Sequence, residues 1–213
     1  MRKHRDRKIG IFGSEIMKKD RFVAFFDAVM AIIMTIVVLE FAIPKGTNWS
    51  DMKELGTQVV VYALSFFWLG MMWININTIW HQVEVIDRKV MWVNMFMLFF
   101  SSMIPFLVVF VGANLTERIP QLLYGVDVVC ITICNQLSAE LLKKLNPVLL
   151  PIVTNLRLGI GIDLAIKTVG IILGMLIWPP ITIISVFVAM ICLVVEFSIA
   201  NRKHNLKSEG KDV

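Results

Sequence analysis

The sequence predicts an all-α, polytopic membrane protein with six transmembrane helices, and three observations lead to this class. Of 213 residues, 57% are hydrophobic and 17% are charged, whereas soluble domains have about 45–50% and about 25%. The chain contains six apolar runs of about twenty residues, the length at which a helix crosses a ~30 Å hydrocarbon layer with its backbone hydrogen bonds satisfied internally. Its basic residues are also distributed unequally between the connections.

The six predicted helices follow one another with short connections. We place them at residues 22–43, 55–78, 90–112, 120–142, 156–178 and 180–200. The last two runs meet at Pro179-Pro180, where two backbone donors are missing and a tight reversal is expected. The chain is thus divided into a basic N-terminal segment at 1–21, a transmembrane domain at 22–200 and a polar tail at 201–213.

The positions of Lys and Arg predict the orientation. Of these 21 residues, 17 lie in the N-terminal segment, the second-to-third and fourth-to-fifth connections and the tail, whereas Lys45, Lys53 and Arg118 lie on the other side. Positive charge near helix ends stays in the cytoplasm, so both termini are expected there. The net charge of +5 follows from this topology. We expect the N-terminal basic cluster to contact anionic lipid headgroups and not nucleic acid.

The sequence does not indicate an enzyme. Its connections are too short for a nucleotide-binding domain, and it contains no GxGxxG, GxxxxGK[ST], HExxH or GxSxG motif. Cys130 and Cys134 share a helix face at i, i+4, but no His or carboxylate is spaced to complete a tetrahedral metal site. We therefore expect no catalytic residue, no metal and no cofactor.

Ionisable residues inside the predicted spans are the next candidates, because a charge that is costly to bury marks a pathway or an interhelical pair. Asp163 and Lys167 stand at i, i+4 with the acid first, so we expect an intrahelical ion pair. Asp127 could equally be an interfacial anchor. The full set is Asp27, Glu40, Asp127, Glu140, Asp163, Lys167 and Glu196.

The first helix has two different faces on a helical wheel of about 100° per residue. Asp27 lies on the side opposite a narrow apolar stripe, which Thr35 flanks. Such a stripe is most often packing surface, and the alternative is a hydrophobic pore constriction that gates by dewetting. The stripe consists of Phe25, Ile32, Ile36, Leu39 and Ile43.

The start of this helix resembles a known signature. Residues 21–27, RFVAFFD, followed by AVMAIIMTIVVLE, are similar to the R-x-x-x-F-S-D motif that opens the transmembrane protein 175 family of potassium channels. Trp73-Ile74-Asn75 resembles the end of that family's second helix. The stretch 90–106, with Asn94 and Ile104-Pro105-Phe106, is similar to its third-helix pattern. The resemblance covers at least the first half of the chain.

The resemblance implies a leak-type, potassium-permeable cation channel in a bacterial inner membrane. It implies a homotetramer of six-helix subunits around one pathway, which the first helix lines. The constricting layers would be Ile32, Ile36 and Leu39, with Thr35 as a nearby hydroxyl. The sequence contains no TVGYG carbonyl filter, so monovalent cations, potassium above all, would pass these apolar layers as permeant species.

The resemblance also assigns Arg21, Phe25 and Asp27 to a motif that anchors the cytoplasmic end of the first helix. Arg21 and Asp27 are six residues apart, about 240° around the helix, so they cannot pair directly within it. Asp27 must therefore find partners on neighbouring helices. The further members of this network would be Trp73, Asn75 and Asn94.

The sequence departs from the family pattern at two places. Phe26 replaces the usual Ser before the Asp, and Ile76 and Asn77 replace a frequent His pair after the second-helix motif. The polar network must therefore be rearranged. Asn75, Asn77 or Asn94 could supply substitute donors across helices.

Two other classes of protein remain open. A secondary transporter would bind its substrate near the midplane, usually between broken helices. The first helix is predicted to be unbroken, although four glycines could bend the fifth, where Gly170 and Gly174 more simply predict a close-packing face. A non-conducting membrane scaffold would need no pathway at all. The four glycines are Gly159, Gly161, Gly170 and Gly174.

Overall fold

The computed structural model describes residues 19–41, 43 and 46–194, and in these ranges every regular element is helical. Val37–Glu40 and Pro147–Leu149 form short 3-10 turns. The basic cluster expected to meet lipid headgroups at 1–18, the end of the sixth predicted span and the tail at 201–213 lie outside the described residues. The helices are α1 Lys19–Ile36, α2 Trp49–Trp80, α3 Arg88–Ser101, α4 Ile104–Ala113, α5 Arg118–Leu145, α6 Leu150–Leu176 and α7 Ile181–Val194.

Four stretches of the described chain are long and apolar enough to cross a membrane. They coincide with the first four predicted runs, so the positions of those runs are confirmed. α6 covers the fifth predicted run, and α7 is a shorter apolar helix at the start of the sixth. The all-helical class is confirmed, and the count of six spans stays a prediction. The four stretches are Lys19–Glu40, Leu55–Trp80, Arg88–Ala113 and Arg118–Leu145.

The third span, predicted at 90–112, is interrupted by a short turn between two α-helices. α3 ends at Ser101 and α4 begins at Ile104. Pro105 explains the break, because it has no N–H and its ring would clash with the carbonyl of Ser101 in a regular helix. Ser102 closes the end of α3, where its hydroxyl donates to the Phe99 carbonyl at 2.7 Å.

The connection predicted at 143–155 is also much shorter than expected. α5 extends to Leu145 and α6 begins at Leu150. Asn146 lies between them and accounts for the tight turn. Its Oδ1 accepts hydrogen bonds from the N–H groups of Glu84 and Val85 at 2.9 and 3.0 Å. Its Nδ2 donates to the carbonyls of Val85 and Leu142 at 2.9 and 3.1 Å.

Three segments predicted to face the cytoplasm meet at one end of the bundle. Asn146 joins the α5–α6 connection to the α2–α3 connection. Lys19, at the start of α1, donates from Nζ to the Val83 carbonyl at 2.7 Å. The predicted topology places these three segments on the same side of the membrane, because an even number of spans separates them. The contacts agree, since all three lie at the same end of the bundle.

The α6–α7 pair folds back at the predicted reversal. The N–H of Ile181 donates to the Trp178 carbonyl at 3.0 Å, and the N–H of Thr182 donates to the Pro179 carbonyl at 3.1 Å. A Cβ at Gly170 would overlap Ser185, and one at Gly174 would overlap Thr182. These two glycines therefore form a close-packing face against α7, as the sequence predicts.

Candidate functional site

One face of α1 packs into the subunit. Its members recur every three or four residues, the repeat of one helix face. They contact α2, α3 and α4, which fixes the rotation of α1 in the bundle. Met30, in the middle of this face, has no exposed surface. The buried residues are Phe22, Phe26, Met30, Ile33 and Val37.

The apolar stripe that the wheel predicts lies on another side of α1 and is exposed in the subunit. Leu39 is 79% exposed and Ile32 is 60% exposed, and Phe25 and Ile36 are less exposed at 47% and 38%. These side chains do not belong to the hydrophobic core of the subunit. The stripe is therefore available to contact lipid, a second copy of the chain or a central pathway.

The end of α1 differs from a regular α-helix. A 3-10 turn runs over Val37–Glu40, and Phe41 is extended. Residues three apart lie directly above one another in a 3-10 turn, so Leu39 is expected nearly in line with Ile36. Ile43 lies beyond the helical residues, so the continuation of the stripe to Ile43 is wrong.

Thr35 lies on the exposed side, close to the stripe. Its hydroxyl lies 2.9 Å from the Ala31 carbonyl and 3.1 Å from the Ile32 carbonyl, to which it donates. The hydroxyl hydrogen is thereby directed to the backbone of its own helix. The lone pairs of the oxygen remain as the polar group that Thr35 presents beside the aliphatic layers.

Asp27 bonds to a neighbouring helix, as its position on the wheel predicts. Nε1 of Trp73 in α2 donates to Oδ1 of Asp27 at 2.9 Å. Asp27 also lines a cleft of about 280 Å³ at the same end of α1, together with Asn77 and His81. Asp27 therefore links α1 to α2 by an indole–carboxylate hydrogen bond beside a cleft that contains polar side chains.

The other members assigned to this network lie apart from Asp27. Asn94 is buried between α3 and α5, where its Nδ2 donates to Ser138 Oγ and to the Val90 carbonyl, both at 2.8 Å. Asn75 faces a different cavity, between α2, α5, α6 and α7. Asn94 thus donates across helices, but to Ser138, whereas the donor to Asp27 is Trp73. Asn77, the third candidate, lines the cleft beside Asp27.

The remaining motif positions divide between surface and core. Arg21 and Phe25 are exposed at the start of α1. Of the three residues that depart from the family pattern, Phe26 and Ile76 are buried, and Asn77 is partly exposed. At these two positions apolar packing occupies the places that polar side chains have in the family pattern.

A second polar centre lies inside the subunit. Lys167 Nζ lies 2.7 Å from Asp163 Oδ2 on the same helix, so the predicted ion pair is confirmed. Lys167 also donates to Thr132 Oγ1 at 2.9 Å and lies 5.2 Å from the centre of the Trp68 ring. The sequence did not indicate Thr132 or Trp68, because they are distant along the chain and follow no spacing rule.

The apolar helices and their packing define an integral membrane protein. Its α1 exposes an aliphatic stripe and is hydrogen-bonded to α2 through Asp27. Residues 21–105 match the family sequence model described as Endosomal/lysosomal potassium channel TMEM175. The matched segment contains all but the first two residues of α1, the Trp73-x-Asn75 motif and Pro105. The predicted resemblance to the transmembrane protein 175 family is confirmed over this segment.

Two curated relatives are similar to parts of the chain. A potassium channel of Chryseobacterium sp. (strain P1-3) is 31% identical over 113 residues, 53% of this chain and 59% of the relative. A potassium channel of Streptomyces collinus (strain DSM 40733 / Tue 365) is 30% identical over 89 residues, 40% of this chain and 43% of the relative. The chain thus spans about half the length of these relatives.

A solved structure shares the fold. It is the crystal structure of a lysosomal potassium-selective channel TMEM175 homolog from Chamaesiphon minutus, with a TM-score of 0.59 at 21% sequence identity. The superposition covers 86% of this chain and 97% of that chain. The likeness therefore extends well beyond the segment that the sequence comparison matches.

Proposed function

We propose that the chain is a subunit of a leak-type, potassium-permeable cation channel. Four copies would surround one pathway lined by α1, with Ile32, Ile36 and Leu39 as the constricting layers and Thr35 beside them. The observation that carries the proposal is that this stripe is exposed while another face of α1 packs into the subunit. The proposal is also supported by the match of residues 21–105 to a potassium-channel family.

The position of α1 in the subunit favours a pathway over ordinary lipid contact. Lipid accepts a branched aliphatic surface as readily as protein does, so exposure alone does not decide between them. Asp27, however, is an ionisable side chain within the same helix and is held by Trp73 on α2. An ionisable side chain within a membrane span is by default a sign of a functional site, which favours a functional role for α1.

The proposed topology places six spans in each subunit and both termini in the cytoplasm of a bacterial inner membrane. It rests on the distribution of Lys and Arg. The contacts of Lys19 and Asn146 agree with one part of it, because they bring the start of α1, the α2–α3 connection and the α5–α6 connection to the same end. The basic N-terminal segment would then contact anionic lipid headgroups.

The aliphatic layers would favour potassium through hydration. A larger monovalent cation holds its water less tightly than sodium does, so squeezing its shell in a dry constriction costs less. Apolar side chains offer no ligand to replace the lost water, and hydrophobic constrictions gate by dewetting. The preference for potassium over sodium is therefore expected to be modest.

Flux into liposomes tests the proposal. The purified chain is reconstituted into liposomes. With potassium on one side of a liposome patch and sodium on the other, the current across the patch is measured as a function of voltage. A channel gives a reversal potential set by the gradients, with potassium preferred. Coupled, saturable uptake would indicate a secondary transporter, and no flux from correctly folded protein would indicate a scaffold. Either of these results would overturn the proposal.

A further inference from the structure

A polar cavity lies within the subunit, apart from the exposed face of α1. It has a volume of about 70 Å³ and lies between α2, α5, α6 and α7. Asp163 and Lys167 form one wall, and Asn75 and Asn135 contribute amides to others. Apolar side chains, Met72 and Met190 among them, complete the lining. The cavity therefore combines buried charge with space.

The ion pair at this cavity is almost completely buried. The side chains of Lys167 and Asp163 are 2% and 4% exposed. Lys167 is well satisfied, since its ammonium has Asp163 Oδ2, Thr132 Oγ1 and the Trp68 ring around it. Burying two charges is costly even when they are paired, unless further hydrogen bonds satisfy the remaining lone pairs.

One carboxylate oxygen of Asp163 lacks a hydrogen-bond donor among the described residues. Its Oδ1 is buried and accepts no hydrogen bond from any residue in the described part of the chain. A buried acceptor without a hydrogen bond destabilises the folded state, and more so when it is charged. Since Asp163 lines the cavity, a hydrogen-bond donor bound there would remove this cost.

We propose that the cavity is an internal hydration site, in which a small cluster of water molecules donates to Asp163 Oδ1 and bridges it to the side-chain amides of Asn75 and Asn135. A water needs at least about 10–15 Å³ of such space and two to four polar partners. The cavity volume of about 70 Å³ admits several. The polar lining supplies the partners.

Water fits this site better than a permeant cation does. The carboxylate of Asp163 is already neutralised by Lys167 at 2.7 Å. A second cation would meet the repulsion of the ammonium and gain only neutral amides as additional ligands. A neutral donor meets no such penalty. The hydration site is therefore separate from any ion pathway, and it does not depend on the proposed channel activity.

The site has a consequence for α2. Trp73 on one side of α2 holds Asp27 of α1, and Asn75, two residues later, lines the cavity. The Trp73-x-Asn75 motif thus lies between two polar centres. The bound water would attach α2 to α6 on one side while the indole attaches α2 to α1 on the other.

Radiolytic footprinting of the full chain in lipid nanodiscs tests the proposal. Hydroxyl radicals that X-rays generate from bound water oxidise nearby methionines, which mass spectrometry quantifies. Met72 and Met190 line the cavity, whereas Met97 in α3 is fully buried and serves as the internal control. We expect severalfold more sulfoxide at Met72 and Met190 than at Met97. Labelling of all three at the level of Met97 would overturn the proposal.

A cavity-filling variant and a surface control test whether the oxidation comes from water in the cavity. Ala139 is a buried lining residue, so Ala139→Leu places a larger side chain in the space. Ala165→Leu makes the same change on the exposed side of α6. We expect Ala139→Leu to reduce labelling of Met72 and Met190 to the level of Met97, and Ala165→Leu to leave it unchanged.

A smaller variant and a crystallographic measurement cover the remaining outcomes. If Ala139→Leu misfolds and Met97 becomes labelled as well, the smaller Ala139→Val is used, and labelling of Met72 and Met190 should fall partway. Undiminished labelling in a folded Ala139 variant would refute the hydration site. A rubidium peak in anomalous difference density inside the cavity would refute the assignment to water.

Discussion

At the residue scale, the hydrogen bond between Trp73 and Asp27 makes a prediction about stability. Trp73→Phe keeps an aromatic ring but removes the N–H that donates to Asp27. A hydrogen bond to a charged group contributes about 1.5–3 kcal/mol. We expect a lower melting temperature of the solubilised assembly, measured by fluorescence-detected size exclusion, with the potassium preference retained.

The control for this change is Trp92→Phe, because Trp92 is exposed on α3 and should tolerate the substitution. Asp27→Ala should resemble Trp73→Phe, with loss of stability or assembly exceeding any change in ion preference. A shifted reversal potential in a fully stable variant would instead place Asp27 in the pathway as an ion ligand.

A second residue-scale prediction concerns the α6–α7 contact. The added methyl group of Gly170→Ala would overlap Ser185, and overpacking of this kind costs about 1–3 kcal/mol. Gly161 lies on the same helix with nothing within 4 Å of an added Cβ. Gly161→Ala should therefore stabilise α6 by about 0.5–1 kcal/mol, because alanine loses less entropy. Thermal unfolding of both variants measures the difference, and equal effects would contradict the close contact.

Sequence reasoning succeeded at this scale wherever a local spacing fixed the geometry. Asp163 and Lys167 lie four residues apart on one helix, so their ion pair follows from helix geometry alone. Thr132 and Trp68 complete that centre from other helices. Their contribution depends on how α2, α5 and α6 pack, which no spacing in the sequence encodes.

At the scale of elements, the same distinction explains the helix boundaries. Pro105 marks the break between α3 and α4 in the sequence itself, although the apolar run continues through it. The turn at Asn146 could not be predicted in this way. Its closure depends on hydrogen bonds to Glu84 and Val85, more than sixty residues away.

The faces of α1 were predictable because they follow one repeat along a single helix. The stripe of Ile32, Ile36 and Leu39 was found by the wheel, and these residues are exposed. The wheel fails where the helix tightens at Val37–Glu40, since it assumes about 100° per residue throughout. What the exposed stripe contacts is a property of the assembly and cannot be read from one chain.

The liposome experiment has a matched pair of variants at this scale. Ile36→Asn introduces a polar group into a proposed constricting layer, so conductance should rise and the preference for potassium should flatten. Val38→Asn makes the same kind of change on an exposed residue away from the stripe. It should leave the reversal potential unchanged. Unchanged currents in Ile36→Asn would refute the assignment of the pathway to α1.

At the scale of the whole molecule, the connections are arranged as alternating spans require. The start of α1, the α2–α3 connection and the α5–α6 connection meet at one end. The order of charges along the sequence was sufficient to predict this grouping. The number of copies in the assembly is different, because it depends on surfaces such as the exposed stripe of α1.

Cysteine cross-linking tests where α1 lies in the assembly. In a background without Cys130, Cys134 and Cys192, Leu39→Cys places one thiol per subunit on the exposed stripe. If α1 lines a central pathway, copies of this thiol lie near one another, and oxidation should give cross-linked dimers on a denaturing gel. Dimers are the largest product that one cysteine per chain allows.

Ile119→Cys is the matched control, because Ile119 is exposed at the start of α5 and is not expected to face the axis. Oxidation of Leu39→Cys in liposomes should also block potassium flux, and a reductant should restore it. The opposite result, with cross-links from Ile119→Cys and none from Leu39→Cys, would place α1 at the periphery. The aliphatic stripe would then be a lipid-facing surface, and the conducting pathway would have to be sought among the other helices.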